Sequence, residues 1–299
     1  MPIHKVIVLA IVQGLAELLP VSSSAHVVVA EKLMGVDPSS PEMTLLLVML
    51  HTGTMLAVIL YFWKQWRTAF FSSLHAARQF AFLLIFCSAV TGIVGGALVE
   101  LIEHFGFRGQ PNAEVEQLFS HLELIGPALA LAGVLILTAG INEKRSTSAL
   151  APTRAGTGTS RSLNTKRVGL IGAVQGLCFP FRGFSRSGAT ISVGMLAGVP
   201  KSLAEEFSFA LAVVLTPVAD GRELLRLMKA QQATGLAGLA HAVMPEIAVS
   251  LLGAFLAFVA GLLALRWLSR WLEYGRWYLF GIYCLVAAVG VTYLHHLGY

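Results

Sequence analysis

The sequence predicts an all-α integral membrane protein with six transmembrane helices and two re-entrant segments, each made of a broken helix. The first observation behind this fold class is composition: of 299 residues, 56% are hydrophobic and only 12% are charged. Soluble domains carry about a quarter charged residues, so an ordinary soluble globule is excluded. The second observation is that the apolar residues form stretches of about 20 residues, the length that a helix needs to cross a bilayer.

The net charge of +5 does not indicate nucleic acid, because Lys and Arg stand in short runs between apolar stretches and form no basic face. The three cysteines lie in apolar segments at unrelated spacings, so neither a disulfide framework nor a zinc site is indicated. We expect the lipid bilayer as a partner and no nucleic acid. Without a polar linker between two cores, residues 1–299 form a single membrane domain, and a homodimer is one arrangement that the sequence allows.

Two apolar regions, about 3–35 and 168–200, are each interrupted by a polar stretch containing Pro or Gly, which predicts half-helices joined by a turn. A signal peptide is the alternative for the first region, but Glu17 and Pro20 fit it poorly. The segments that qualify as uninterrupted spans are roughly 44–63, 80–99, 124–141, 203–219, 246–265 and 277–296.

Loop charges predict the orientation, because Lys and Arg collect in cytoplasmic loops. The loops alternate in charge only if region 3–35 dips into the membrane from outside and region 168–200 from inside, with both termini outside. The loops rich in basic residues are 64–79, 142–167 and 266–276, and the acidic loop is 100–123. The loop 220–245 contributes little, because Arg222, Arg226 and Lys229 stand against Asp220 and Glu223.

The two interrupted regions share a motif. The residues Val-Gln-Gly-Leu stand at 12–15 and again at 174–177, and in each copy a serine-rich turn follows ten residues after the glutamine. Since the loop charges place the copies on opposite sides, we interpret them as an inverted-topology repeat, approximately 1–140 and 165–299. A chance match of four residues is the alternative. Such repeats place broken helices and the binding site near the bilayer midplane.

A broken helix in lipid must be buried in protein or line a wet cavity, because its backbone groups cannot stay unpaired. In each copy the second half-helix begins just after the serines, so its free N–H groups and the positive end of its dipole point into the break. Helix N-termini of this kind bind anions, phosphate above all. Two of them meeting in one cavity predict an anion site.

Glu17 is the first candidate functional residue, since a carboxylate at bilayer depth costs about 2.5–3.5 kcal/mol on insertion scales. It follows Gln13 by four residues, so both project from one helix face. Glu17 could hold a divalent ion or transfer protons. The alternative is a carboxylate that caps a helix at the turn.

The serine-rich turn predicts an activated nucleophile. His26 lies three residues after Ser23, and a hydroxyl beside an imidazole near a carboxylate is the pattern of nucleophilic catalysis. We therefore expect Ser23 and His26 to be catalytic. The alternative is that the serines at 22–24 cap the following helix.

The second interrupted region contains the arginines of the predicted anion site. The guanidinium of Arg186 suits phosphate oxygens, and the alternative is a salt bridge to Glu17 across the repeat interface. Arg182 either binds phosphate or reaches the headgroup region. Thr190 either donates to phosphate or bonds back to its own helix. His51, in the span 44–63, is expected to be a polar support residue.

Residue chemistry alone leaves the activity open. A lipid or anion transporter is slightly favoured on these grounds, because transporters use inverted repeats with broken helices. An intramembrane serine protease rests on Ser and His alone, and Arg186 argues against it because a peptide bond carries no anion.

Together the motifs resemble the bacterial undecaprenyl-diphosphate phosphatase family, known also through bacitracin resistance. The stretches that carry the resemblance are QGLAE at 13–17, PVSSSAH at 20–26, HTGT at 51–54, GFSRSGAT at 183–190 and EFSF at 206–209. The resemblance implies a multi-pass enzyme of the bacterial inner membrane that removes the terminal phosphate of undecaprenyl diphosphate. The product is the lipid carrier of peptidoglycan synthesis, and a divalent cation, usually Mg²⁺, is associated with the activity.

The resemblance also implies residue roles. The active-site motifs map to Gln13 and Glu17, to Ser23 and His26, and to Ser185, Arg186 and Ser187. By the same resemblance, Glu17 and Gln13 are the expected ligands of the divalent cation. We expect the substrate phosphates to contact Ser22, Ser24, Ser185, Ser187, Thr190 and Arg182. The sequence departs from the family where Gln13 replaces a common Glu, and where Arg182 and Phe184 replace the Pro and Thr that commonly flank Gly183.

The working mechanism places the diphosphate at the outer face with its prenyl tail in lipid. Ser23 attacks phosphorus, His26 acts as general base or acid, and Glu17 orients His26 or binds the metal. In a close variant, metal-bound water attacks and Ser23 is only a ligand.

Overall fold

The computed structural model describes residues 1–37, 40–106, 121–149, 163–232, 239–273 and 276–299, and these ranges contain helices and no strands. The helices they contain are α1 (Ile3–Leu18), α2 (Ser23–Leu33), α3 (Pro41–Ala69), α4 (Leu74–Gly106), α5 (Leu122–Ala149), α6 (Thr165–Leu177), α7 (Arg186–Leu196), α8 (Lys201–Gln232), α9 (Leu239–Glu273) and α10 (Trp277–His296). The predicted all-α fold class is confirmed.

Six of these helices are long and apolar enough to cross a membrane, so the chain is a multi-pass membrane protein. The spans lie in α3, α4, α5, α8, α9 and α10, which are the six that the sequence predicts. Helix α8 continues to Gln232, well beyond the predicted span 203–219. The region from residue 220 that we predicted as a loop therefore begins as helix, and Asp220 lies in α8.

The two interrupted regions are helix–turn–helix hairpins, as predicted. In the first, Lys5 Nζ donates a hydrogen bond to the carbonyl of Met34 at 2.7 Å, so the start of α1 and the end of α2 lie side by side. In the second, the guanidinium of Arg167, near the start of α6, lies 3.6 Å from the position that a Cβ on Gly198 would take. Gly198 lies just past the end of α7, so these two helix ends are also close. The two ends of each hairpin therefore lie close to each other.

Both halves of the chain have the same order of elements: two short helices followed by three long ones. This order is compatible with the predicted repeat, whose inverted relation stays a prediction. The orientation also stays a prediction, because much of the loops that carry it, at 107–120 and 150–162, lies outside the described residues.

Glycines allow close helix packing around the first hairpin. A Cβ on Gly14 of α1 would lie 2.5 Å from the Cβ of Ala260 in α9. A Cβ on Gly53 of α3 would lie 2.1 Å from the carbonyl oxygen of Ala254, also in α9. Small residues of this kind let membrane helices approach without a hydrophobic driving force. Helices α1, α3 and α9 thus form a tight group that holds the first hairpin in place.

Candidate active site

The tips of the two hairpins meet inside the molecule. Ser187 Oγ donates to the carbonyl of Leu19 at 3.4 Å, and the backbone N–H of Gly183 donates to Ser24 Oγ at 3.4 Å. These contacts join the turn after α1 to the turn before α7. The serine motif and the Ser-Arg-Ser motif therefore belong to one site.

Gly183 makes this approach possible for two separate reasons. Its φ is +105°, a conformation that side chains disfavour, and a Cβ would lie 2.7 Å from the carbonyl oxygen of Ile125. We expect Gly183→Ala to cost about 1–3 kcal/mol of stability from backbone strain alone, plus the clash, and to lower the activity that the family resemblance implies. The control is Gly35→Ala, since Gly35 also has a positive φ (60°) but no atom lies within 4 Å of its Cβ position. Equal losses of activity and thermal stability in the two variants would contradict this account.

Glu17 lies at the centre of the site and links both hairpins. Its Oε1 is 2.6 Å from Arg186 Nη2, its Oε2 accepts a 2.5 Å hydrogen bond from Ser23 Oγ, and Gln13 Nε2 donates to the same oxygen at 3.2 Å. The salt bridge that the sequence left as an alternative for Arg186 is present. Both partners are largely buried, with 13% of the Glu17 side chain and 26% of the Arg186 side chain exposed. The carboxylate is thus placed to accept the proton of the Ser23 hydroxyl.

His26 is paired differently from what we predicted. Its Nδ1 lies 2.7 Å from the carbonyl oxygen of Ser22, and its Nε2 lies 2.7 Å from the hydroxyl of Tyr283. The His26 and Tyr283 rings are also stacked, with centroids 5.7 Å apart. The spacing of three residues puts Ser23 and His26 on one face, but the ring turns toward α10. A catalytic role for His26 stays a prediction.

A serine precedes each of the helices α2 and α7, but only one of the two caps its helix. Ser185 caps α7, because its Oγ accepts a hydrogen bond from the N–H of Gly188 at 3.2 Å. Ser22 precedes α2 with a φ of 68°, makes no side-chain capping bond, and has its Oγ 3.3 Å from that of Ser24. A positive φ at a serine costs energy and is typical of functional sites. The first turn of α2 is thus left uncapped by Ser22 and faces the meeting point of the hairpins.

His51 joins this site through a small cavity and a carboxylate partner. The cavity is lined by Glu17, His51 and Arg186, together with residues of α3 and α8. His51 Nδ1 lies 3.4 Å from Oδ1 of Asp220, whose side chain is 14% exposed. Sequence reasoning missed Asp220 because it was counted among the charges of a loop. Asp220 directly follows the predicted span 203–219. Continuation of the helical pattern of that span through residue 220 is the signal that could have identified Asp220.

Comparison with known proteins agrees with this geometry. The sequence profile of the bacitracin resistance protein BacA family matches residues 6–290, which takes in nearly all of the first hairpin, the whole second hairpin and most of the last span. The chain belongs to the BacA family. Undecaprenyl-diphosphatase 2 of Acinetobacter baylyi is 51% identical over 286 residues, which cover 95% of each chain. Undecaprenyl-diphosphatase 2 of Burkholderia orbicola is 33% identical over 300 residues, 97% of this chain and 95% of the relative.

Two further predicted residues of this BacA chain lie at the edge of the site. Thr190 is fully buried, donates to the carbonyl of Arg186 at 2.8 Å and lies 2.6 Å from Ser208 Oγ. The geometry favours back-bonding for Thr190 over phosphate binding, the two roles left open above. Arg182 lies in the turn between α6 and α7, partly exposed and within electrostatic reach of Glu31 in α2.

The donors present do not fit a resident metal ion in this BacA chain. Both oxygens of Glu17 are engaged, and Gln13 directs its amide nitrogen, not its carbonyl, at the carboxylate. Across the described ranges, no group of three His, Cys, Asp or Glu side chains could hold a metal. The guanidinium of Arg186 occupies the position next to Glu17 where a cation would be expected.

Proposed function

We propose that the chain hydrolyses undecaprenyl diphosphate to undecaprenyl phosphate and inorganic phosphate, which returns the lipid carrier to peptidoglycan synthesis. The observation that carries the proposal is that the hydroxyl of Ser23 and the fixed positive charge of Arg186 both contact the carboxylate of Glu17. This carboxylate can accept the proton of the hydroxyl. Relatives that match along nearly the whole chain are named undecaprenyl-diphosphatases. The site's chemistry and the family therefore agree.

The first step is attack of Ser23 on the terminal phosphorus. The O–H bond of Ser23 breaks and its proton passes to Oε2 of Glu17, an Oγ–P bond forms, and the bond from phosphorus to the bridging oxygen breaks. Undecaprenyl phosphate leaves with that electron pair. Because a protonated Glu17 no longer pairs strongly with Arg186, the guanidinium becomes available to the phosphoryl oxygens as charge develops on them.

The backbone supports the same step. The N-termini of α2 and α7 lie next to the joined turns, and their N–H groups and dipoles favour an anion. The apolar outer surfaces of the helices leave the prenyl chain in lipid while the diphosphate reaches the turns. Recognition therefore needs only the headgroup to enter the protein.

A lipid-phosphate or anion transporter is the alternative function, and the Ser23–Glu17 hydrogen bond argues against it. Binding and release of an anion require donors and positive charge but no hydroxyl activated by a carboxylate. The deciding experiment measures inorganic phosphate released from undecaprenyl diphosphate by the detergent-purified protein, where no second compartment exists. We expect multiple turnovers. Purified, monodisperse protein that releases no phosphate would overturn the proposal and favour transport.

We place the protein in the bacterial inner membrane with the site open to the outer face. This orientation rests on the basic loops. With this orientation, the base of the first hairpin, which includes Lys5, faces outside. A Lys5→Cys variant should react in intact cells with a membrane-impermeant thiol reagent, and Lys64→Cys should not. The reverse labelling would contradict the orientation.

We propose that magnesium enters with the diphosphate as its counter-ion and is not resident on the protein. Mg²⁺ commonly takes one or two carboxylates and completes its shell with phosphates and water, and here Glu17 is already paired with Arg186. Calorimetry of the substrate-free protein with MgCl₂ is expected to show no saturable binding. Addition of EDTA is expected to lower turnover, because the uncompensated diphosphate is costlier to bring into the site. Saturable Mg²⁺ binding that Glu17→Gln removes would contradict this prediction.

A further inference from the structure

The imidazole of His51 lies beside the carboxylate of Asp220, next to the cavity that Glu17 and Arg186 also line. His51 is on α3 and Asp220 is on α8, and their side chains approach to 3.4 Å. Asp220 lies near Arg222, where the apolar span of α8 ends, so the pair stands between the buried cavity and the membrane surface. Among the described residues, the charged groups within electrostatic reach of His51 are Asp220 on α8, Glu17 on α1 and Arg186 on α7.

Breakdown of the phosphoserine requires a proton acceptor other than Glu17. Once Glu17 has taken the proton of Ser23, it must return that proton to Oγ when the phosphoserine breaks down. A second group must then accept the proton of the attacking water. His51 lines the same cavity as Glu17 and Arg186, and a neutral imidazole can take a proton from water.

We propose that His51 is the general base of phosphoserine hydrolysis and that Asp220 is its positioning residue. The inference rests on the proposed covalent function. With its proton on Nδ1, the nitrogen that lies beside Asp220, the imidazole has an unprotonated Nε2 that can accept a proton. In this step Nε2 takes a proton from water, the water oxygen bonds to phosphorus, and the P–Oγ bond breaks. Oγ recovers the proton of Glu17, and His51 later releases its own proton to the surface.

The inference is tested by separating the two halves of the reaction in His51→Gln. Rapid quenching should show a burst of undecaprenyl phosphate close to one per protein, followed by phosphate release slowed about 100-fold, within the range of general base catalysis. The burst itself reports that the variant is folded and competent for the first step. Wild-type protein is expected to release both products together. A wild-type protein that releases neither product would contradict the proposed function, whereas an active wild type beside a variant without a burst would contradict only the role of His51.

Asp220→Asn should produce the same burst with a smaller loss of steady-state turnover, because the base is present but poorly oriented. Asp220→Glu should recover part of that turnover, because it restores a carboxylate. If His51 and Asp220 had only a structural role, no variant would show a burst. The matched control is Asp37→Asn, since Asp37 is the other aspartate of the chain and is exposed. Wild-type turnover in His51→Gln, or loss of the burst together with turnover, would overturn the inference.

Discussion

Arg186→Ala is expected to lower phosphate release by about 10³-fold or more, the scale at which a single arginine stabilises a phosphoryl-transfer transition state. In the resting protein Arg186 pairs with Glu17 at 2.6 Å, and in the proposed reaction its guanidinium stabilises the charge on the transferred phosphoryl group. Arg186→Lys keeps the charge but not the planar fork, so we expect partial activity from it. The measurement is inorganic phosphate released in detergent from undecaprenyl diphosphate.

Loss of stability must be separated from loss of catalysis in this variant. Removing one partner of a buried ion pair leaves an uncompensated charge and costs about 3–5 kcal/mol. The double variant Arg186→Ala/Glu17→Gln removes both charges, so its thermal unfolding in detergent should return toward that of the wild type while activity stays lost. If Arg186→Ala alone kept near-normal turnover, the role of Arg186 in phosphate binding would be wrong.

Ser23→Ala is expected to reduce turnover on the order of 10⁴-fold, because it removes the nucleophile on which both half-reactions depend. Mass spectrometry of the acid-quenched His51→Gln variant should find a phosphate on Ser23, because the intermediate accumulates when its hydrolysis is slow. The Ser23 hydroxyl donates its hydrogen bond to Glu17, so Glu17→Gln is expected to slow formation of this intermediate.

The control for Ser23 is Ser88→Ala, which removes a buried hydroxyl of α4 that has no hydrogen-bond partner within the described part of the chain. It is expected to keep wild-type activity. Full activity in Ser23→Ala would exclude a covalent phosphoserine. The variant mechanism, in which water attacks directly, would then be the remaining form of the hydrolysis.

Amino-acid sequence alone was enough to predict the six spans, the two hairpins and the set of polar residues at their turns. These features depend on local properties: about 20 apolar residues make a span, and a polar stretch with Pro or Gly breaks one. The pairing of Glu17 with Arg186 was weighed from the sequence because each is a charge that needs an opposite charge in an apolar region.

Tertiary structure alone decided which side chains touch. Glu17 and Arg186 are 169 positions apart, and His26 and Tyr283 are 257 apart. The spacing of Ser23 and His26 predicts a shared face, but packing of α10 turns the imidazole away and leaves Ser23 to Glu17. Helical periodicity specifies the direction of a side chain relative to its own axis. It does not specify which neighbouring helix lies there, and that neighbour determines the hydrogen bond.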